Sequence, residues 1–397
     1  MAGLILKPGR EESLLRRHPW IFSGAVSEVV DTPEAGATVD VYSSHGDFLA
    51  RAAYSPCSNI RARIWSWNQD EKIDASFFYH TIKQSMLLRE TNKILFPETN
   101  AIRLVHGESD GLPGLVVDRY NDVIVVQLLT AGVEYWRDEI VEVLKEIPGT
   151  AAIYERSEAD VRELEGLGPQ KGLLWGCELE EHIIIVENGL SFLVDVRRGH
   201  KTGFYLDQRL NRLITRKLVS RRDVLDCFSY TGGFSLNSLL GGASSVVAVD
   251  SSSDALGTLL ANLEYNQLTR DHLGILEGDV FQVLRQFRDQ DKSFDLIILD
   301  PPKFAHTASM AERAARGYKD INLLAFKLLR SGGVLVTFSC SGGVSNDLFQ
   351  KIVAGAALDA GVDARILTYL HQDADHPVAL NFPEGAYLKG LVVSVMR

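Results

Sequence analysis

Five apolar runs after residue 195 constrain this chain more than any other feature: DVLDCF, SVVAVD, GILEGDV, FDLIILD and GVLVTFSC. Stretches with helical spacing separate them, beginning near Phe234, covering Ala255–Asn266 and Phe281–Arg288, and extending to about Leu329. Near-continuous apolar strands alternate with helices when a parallel sheet is covered on both faces, because neither face of such a strand meets water. Residues 191–397 are therefore expected to form a Rossmann-like α/β domain. A helix is expected to open near Ser345, and YLKGLVVSVM to add a final antiparallel edge strand.

A chain of 397 residues exceeds what one core supports, so further domains are expected ahead of this sheet. GLILKPG, IFSGAVSEVV, ATVDVYSS, GDFLARAAY and NIRARIWSW are five short β runs with Gly and Pro between them, which predicts a small β-barrel over 1–68. The polar segment NQDEKID reads as a linker. Residues 75–190 read as an α+β middle domain: a helix over Ala75–Asn92, strands AIRLVHGE, GLPGLVVDRY and DVIVVQLL, a helix over Val133–Glu146, and the strand AAIYERS. Glu187-Asn188-Gly189 supplies the turn of its last hairpin.

No apolar run approaches the roughly 20 residues of a membrane span, and the N-terminal stretch has no small-residue cleavage site, so the expectation is a soluble, cytoplasmic protein. Cys57, Cys177, Cys227 and Cys340 are too dispersed for a disulfide framework or a thiolate zinc site. The first three read as small buried hydrophobes, Cys227 being the least settled because it borders a candidate ligand turn. The formal charge of -11 conceals an uneven distribution: residues 70–190 carry 23 acids and 11 bases, whereas 196–222 carry nine bases against one acid. That second segment is either a site for a polyanion or a solvated basic face.

Ligands of an open parallel sheet bind beyond the carboxyl ends of its strands. The first strand ends in Asp226-Cys-Phe-Ser-Tyr-Thr-Gly-Gly-Phe234, where adjacent glycines let backbone approach a ligand. The second ends at Asp250, placed to accept from both hydroxyls of a ribose, although a lone acid there reads first as a cap of the helix that follows. The third ends near Asp279, placed to accept from an adenine amino group. The turn lacks the GxGxxG spacing of a dinucleotide site, which favours an adenosine ligand without a pyrophosphate. The fourth ends in Asp300-Pro-Pro-Lys303-Phe304, a stiff wall poor in backbone donors that suits a planar base. The fifth ends in Thr337-Phe-Ser-Cys340-Ser-Gly342, which puts a cysteine on the approach to a helix N-terminus.

These segments, with Arg316-Gly-Tyr-Lys-Asp-Ile-Asn322, resemble the S-adenosylmethionine motifs of the bacterial ribosomal RNA large subunit methyltransferase I family. The resemblance extends to His18-Pro-Trp-Ile-Phe-Ser-Gly24, Glu108-Ser-Asp-Gly-Leu-Pro-Gly-Leu-Val-Val-Asp-Arg-Tyr120, Lys201-Thr-Gly-Phe-Tyr-Leu-Asp-Gln-Arg209 and Tyr387-Leu-Lys-Gly390, and so spans essentially the whole chain. It implies a class I methyltransferase fold behind an N-terminal PUA domain, methylating carbon 5 of a cytosine in 23S rRNA. The implied S-adenosylmethionine site comprises Asp226, Phe228, Ser229, Tyr230, Thr231, Gly232, Gly233, Asp250, Ser251, Asp279, Val280, Asp300 and Pro301. RNA contacts are expected from Arg16, Arg17, His18, Trp20, Arg197, Arg198, Lys201 and Lys303, with His18 and Trp20 equally readable as packing residues. No metal is called for, and a homodimer is left open.

The expected mechanism has the Cys340 thiolate attack carbon 6, activating carbon 5 toward the cofactor methyl, while Asp300 hydrogen-bonds or protonates N3. Many RNA cytosine-5 methyltransferases carry a further cysteine after strand four, and this chain has Asp-Pro-Pro-Lys there. Two alternatives stand beside this reading. An amino-group RNA methyltransferase would use the Asp300 loop and spare Cys340, and a non-catalytic RNA-binding or ribosome-assembly factor would need no cofactor acids.

Overall fold

The computed structural model describes residues 2–92, 98–304 and 311–396. The chain divides into two compact units, the first holding Met1–Glu187, Val194–Leu206 and Ala374–Gly385, the second Asn188–Leu193, Asp207–Asp373 and Ala386–Arg397.

The first unit opens with β1 (Gly3–Leu6), the one-turn α1 (Glu12–Leu15), β2 (Trp20–Phe22), β3 (Val26–Val30), β4 (Thr38–Tyr42), β5 (Phe48–Tyr54) and β6 (Ile60–Ser66). They form one sheet in the order β2-β6-β5-β4-β1-β3. The five expected runs become six strands because Ser23–Ala25 coils into a 3-10 turn and splits IFSGAVSEVV. Val39 and Val41, Ala50 and Ala52, and Ala62 and Ile64 alternate into the core with the period of two that a strand imposes.

Asp74 caps α2 (Ala75–Thr91) by accepting from the Ser76 and Phe77 amides. Then follow β7 (Ala101–His106), β8 (Leu115–Tyr120), β9 (Val123–Leu128), α3 (Ala131–Tyr135), α4 (Arg137–Lys145), β10 (Ala152–Ser157), α5 (Val161–Leu164) and β11 (Gln170–Gly176), with the strands in the order β11-β10-β9-β8-β7. The single helix expected over Val133–Glu146 is interrupted at Trp136. A buried arginine, held by an ion pair, ties residues 374–385 into this unit. Arg89 grips Asp110 with two bonds of 2.7 and 2.8 Å and donates to the Asp375 carbonyl at 2.9 Å. After β12 (Ile183–Glu187), Asn188 and Gly189 take φ of +51° and +78°, as the expected turn requires, and β13 (Leu190–Val194) follows.

The second unit contains α6 (Arg209–Arg216), β14 (Asp223–Cys227), α7 (Gly233–Leu240), β15 (Ser245–Asp250), α8 (Ser253–Tyr265), β16 (Leu273–Glu277), α9 (Val280–Asp289) and β17 (Phe294–Leu299). It continues with α10 (Ala311–Leu328), β18 (Leu329–Ser339), α11 (Asn346–Ala360), β19 (Asp363–Leu370) and β20 (Lys389–Met396). The strand order is β16-β15-β14-β17-β18-β20-β19, parallel from β16 through β18. The final strand is antiparallel as expected, but it is not the edge: it lies between β18 and β19. Its unbroken burial from Lys389 to Val393 is what an interior position demands, while β19, exposed along most of its length, forms the edge. The order reverses between β14 and β17, and such a reversal opens a crevice beyond the strand ends.

Candidate active site

The loop leaving β14 holds two non-glycine residues in the left-handed region. Phe228, Tyr230 and Gly232 take φ of +62°, +47° and +86°. The loop is held by the Tyr230 amide, which donates to Asp250 Oδ2 at 2.8 Å, and by the Ser229 amide, which donates to the Val249 carbonyl at 3.0 Å. A Cβ on Gly232 would stand 2.5 Å from Leu259 Cγ, so glycine is required there on both steric and dihedral grounds. Arg212, itself buried, lies directly against Gly233.

Asp226 is fully buried and accepts from Ser235 Oγ at 2.6 Å. Among the described residues its other oxygen, Oδ1, has no partner, nor have the buried Ser229 and Thr231 hydroxyls. A buried unsatisfied polar group costs about 1–3 kcal/mol. Three of them at the end of β14 and on the turn that follows therefore suit a polar ligand that completes their hydrogen bonds, as the adenosine and amino-acid groups of S-adenosylmethionine can. Burial pushes the Asp226 carboxyl up to about 7, with Ser235 opposing and Asp250 reinforcing the rise. Because the folded value is the raised one, the proton on Asp226 favours the fold at low pH, and that contribution is lost as pH rises through about 7.

Asp250 accepts two amides, one from Tyr230 and one from Ser252 at 2.9 Å, each on a different oxygen. The cap of α8 is Ser252 rather than Asp250, and the lone pairs remaining on Asp250 can still receive ribose hydroxyls. Asp279 is exposed and caps α9 by accepting from the Gln282 amide at 3.0 Å, a local role in addition to the expected adenine contact. The Val280 side chain is in the core, so only its backbone can face a ligand, and Ser251 is exposed.

The loops after β17 and β18 meet. Cys340 is partly exposed, with its sulfur 3.9 Å from the Pro301 carbonyl oxygen. The Phe304 amide donates to Ser341 Oγ at 3.1 Å, and the same oxygen lies 2.9 Å from the Tyr318 hydroxyl. The Phe304 ring packs on Tyr318 and Phe281 with centroids 4.7 and 5.9 Å apart. Asp300 is pushed up to about 7 by burial first and then by the Asp207 charge, while a hydrogen bond from Gln208 and the Arg212 charge oppose the rise. Tyr387 donates to Asp207 Oδ2 at 2.6 Å. Asp207, Gln208, Arg212 and Tyr318 thus belong to this neighbourhood, although the sequence carries Arg212 only within the basic segment and the others only as letters inside motifs. Cys227 is fully buried and its thiol is pushed far up by burial, which keeps it protonated and inert. Cys57 and Cys177, expected inside, are both exposed, one in the β5–β6 turn and the other just past the exposed strand β11.

The expected RNA contacts are spread more widely. Arg16 is exposed, and the Arg17 guanidinium lies over the Trp67 ring at 5.2 Å. Trp20 donates from Nε1 to Glu108 Oε1 at 2.8 Å and sets its ring edge-on to Phe382, with centroids 4.9 Å apart. His18 Nε2 lies 3.3 Å from Glu384 Oε2. These contacts give His18 and Trp20 the packing character that the sequence left level with a binding role. Arg198 and Lys201 are exposed, whereas the Arg197 guanidinium donates to the Leu179 and Glu180 carbonyls. The basic segment is not one solvated face: Arg209 is fully buried on Asp373 at 2.9 Å, and Arg216 donates to Asn237 and the Asn188 carbonyl. Formal charge carries no information about burial.

Comparison with known sequences identifies the class of the chain. Residues 104–366 match the family of S-adenosylmethionine-dependent methyltransferases, and residues 4–67 match the PUA-like domain. The chain is an S-adenosylmethionine-dependent methyltransferase with a PUA-like domain at its N-terminal side. It is 52% identical over 392 residues to Ribosomal RNA large subunit methyltransferase I of Shewanella denitrificans, covering 98% of each chain. It is 48% identical over 396 residues to the protein of that name from Escherichia coli O157:H7, covering 99% of each. The chain belongs to the ribosomal RNA large subunit methyltransferase I family. A solved chain from Streptococcus mutans assigned as a SAM-dependent methyltransferase shares the fold, with a TM-score of 0.85 at 24% identity over 99% of this chain and 100% of that one. A solved methyltransferase chain complexed with SAH superposes with a TM-score of 0.87 at 24% identity over the same shares.

Replacing Asp250 with alanine removes the expected ribose acceptors and releases the Tyr230 amide. Titration calorimetry with S-adenosylmethionine should show affinity reduced about 10- to 150-fold, equivalent to about 1.5–3 kcal/mol. Unchanged affinity would exclude Asp250 from the site.

Proposed function

We propose that this chain methylates carbon 5 of a cytosine in 23S ribosomal RNA with Cys340 as the nucleophile. The observation that carries the reading is the pairing of a partly exposed Cys340 with the Asp300-Pro301 loop, while Cys227, the other cysteine near the cofactor turn, is buried and protonated. The relatives' name supports ribosomal RNA as the substrate. A base within folded RNA must be unstacked to reach such a pocket, at a cost of a few kcal/mol. The exposed Arg16, Arg198, Lys201 and Lys303 offer charge to the phosphates, Arg17 is held over Trp67, and His18, Trp20 and Arg197 order their own surroundings. On this reading 1–68 binds RNA, 75–190 is the middle domain and 191–397 is the catalytic domain.

Carbon 5 of cytosine is a weak nucleophile. The Cys340 thiolate adds to carbon 6, forming a sulfur–carbon bond and pushing the ring electrons toward carbon 5 and N3. S-adenosylmethionine, when bound, supplies the methyl group as an electrophile. Asp300 still holds a proton near neutrality and donates it toward N3, stabilising the charge that addition creates there. Once carbon 5 carries the methyl group, its proton leaves to a base, the double bond re-forms, and the thiolate is expelled as N3 returns its proton to Asp300.

The amino-methyltransferase alternative needs an aromatic beside the Asp-Pro-Pro turn to hold an exocyclic amine. Lys303 occupies that place, and the Phe304 ring is engaged with Tyr318 and Phe281, which weakens the alternative.

Nucleoside mass spectrometry of 23S rRNA from cells lacking the protein should show 5-methylcytosine restored by the native chain and not by Cys340→Ala. Restoration of 5-methylcytosine by Cys340→Ala would remove Cys340 as the nucleophile, and a methyl group found on the exocyclic amine instead would transfer the case to amino methylation. The role of Asp300 predicts a pH trend. Since its proton is lost as pH rises through about 7, the methylation rate of the native chain relative to Asp300→Asn should fall across that value. A ratio independent of pH would remove Asp300 as the acid.

A further inference from the structure

Lys389 opens β20 opposite Ser339 of β18, and its side chain is buried. Its Nζ donates to the Ser341 carbonyl oxygen at 2.8 Å, one residue from Cys340. A buried ammonium is expensive unless an opposite charge and hydrogen bonds compensate it. An apolar residue at this position would extend the Leu391–Val393 run of the strand, so the burial of a lysine here calls for a specific counterpart. Its surroundings suggest one. Burial draws the ammonium down to about 8, a charge on Cys340 opposes that fall, and Lys303 reinforces it. From α10, Tyr318 also faces Cys340, but its hydroxyl is pushed up by burial and stays neutral, so it brings no competing charge. Asp300, on the loop after β17, is set against Asp207, Gln208, Asp226 and Arg212. Lys303 is exposed and of the same sign as Lys389.

We propose that Lys389 is the positioning residue that converts Cys340 into a thiolate: its ammonium supplies the charge opposite the sulfur, and its bond to the Ser341 carbonyl fixes the loop that carries Cys340. The inference rests on the reading of Cys340 as nucleophile, and it adds the source of that nucleophile's ionisation. The helix that follows begins only at Asn346, with Ser345 as its cap. The charge comes instead from a strand about 50 residues further along, which the topology brings next to β18.

The test measures the thiol directly. In a full-length background carrying Cys57→Ser and Cys177→Ser, which removes the exposed thiols, the rate at which iodoacetamide alkylates Cys340 is followed by peptide mass spectrometry across pH. Alkylation consumes the thiolate and releases iodide, so its pH midpoint reports ionisation. Lys389→Met should raise the midpoint by about one pH unit and slow labelling at neutral pH about tenfold, Lys389→Gln should do the same, and Lys389→Arg should recover part of the loss. Cofactor affinity and melting temperature, measured on the same proteins, confirm that each is folded. A folded Lys389→Met or Lys389→Gln with an unchanged midpoint, or with labelling slowed equally at every pH, would overturn the proposal and leave Lys389 as a packing residue. The failure of the underlying reading is separate: Cys340→Ala retaining 5-methylcytosine formation would sink the nucleophile assignment, whatever the labelling shows.

Discussion

A parallel sheet buried on both faces offers chemistry only at the ends of its strands, and that constraint organises the catalytic unit. β14, β15, β17 and β18 spend their side chains on the core, where Leu225, Val249, Ile297 and Leu335 are fully buried. What remains for ligands is the set of loops at the β14–β17 reversal. Asp226, Asp250, Asp300 and Cys340 all stand at or just beyond a strand's last residues. Helix-covered strands fix those ends, so the groups are positioned before any ligand arrives, which lowers the cost of reaching a reactive geometry.

The same loops store unfavourable energy that a ligand can relieve. The end of β14 and the turn after it combine positive φ at two non-glycine residues with three buried polar atoms lacking partners among the described residues. Asp226 and Asp300 are both raised to about 7, because burial penalises charge and each faces another carboxylate. In a core such features would be faults. At a strand end they are consistent with a site whose hydrogen bonds and charges are completed by what it binds.

The legibility of this molecule in its sequence follows burial. Strands covered on both faces, such as β14 and β17, announce themselves as apolar runs, and the parallel order follows from their alternation with helices. β19 is mostly exposed and leaves no such run, so in the sequence β20 reads as the edge that β19 occupies. Ser23–Ala25 and Trp136 break elements that apolar content alone reads as continuous. The turn after β14 stands out in the sequence because its glycines and acids have meaning at a strand end. Lys389 does not, since a lysine at the head of an apolar strand looks solvent-bound until the fold buries it beside Ser341. The basic segment failed for the converse reason: Arg209 and Arg212 count as surface charge in a tally and prove to be interior.

The central claim is that carbon 5 is activated by covalent addition of Cys340. Fluorine at carbon 5 would block the final proton loss and leave that bond in place. Substrate RNA containing 5-fluorocytosine, incubated with S-adenosylmethionine and the native chain, should give a complex that survives denaturation, and peptide mapping should place the RNA on Cys340. A native chain that methylates unmodified RNA yet gives no trapped complex, or one that carries the RNA on Cys227, would contradict the account.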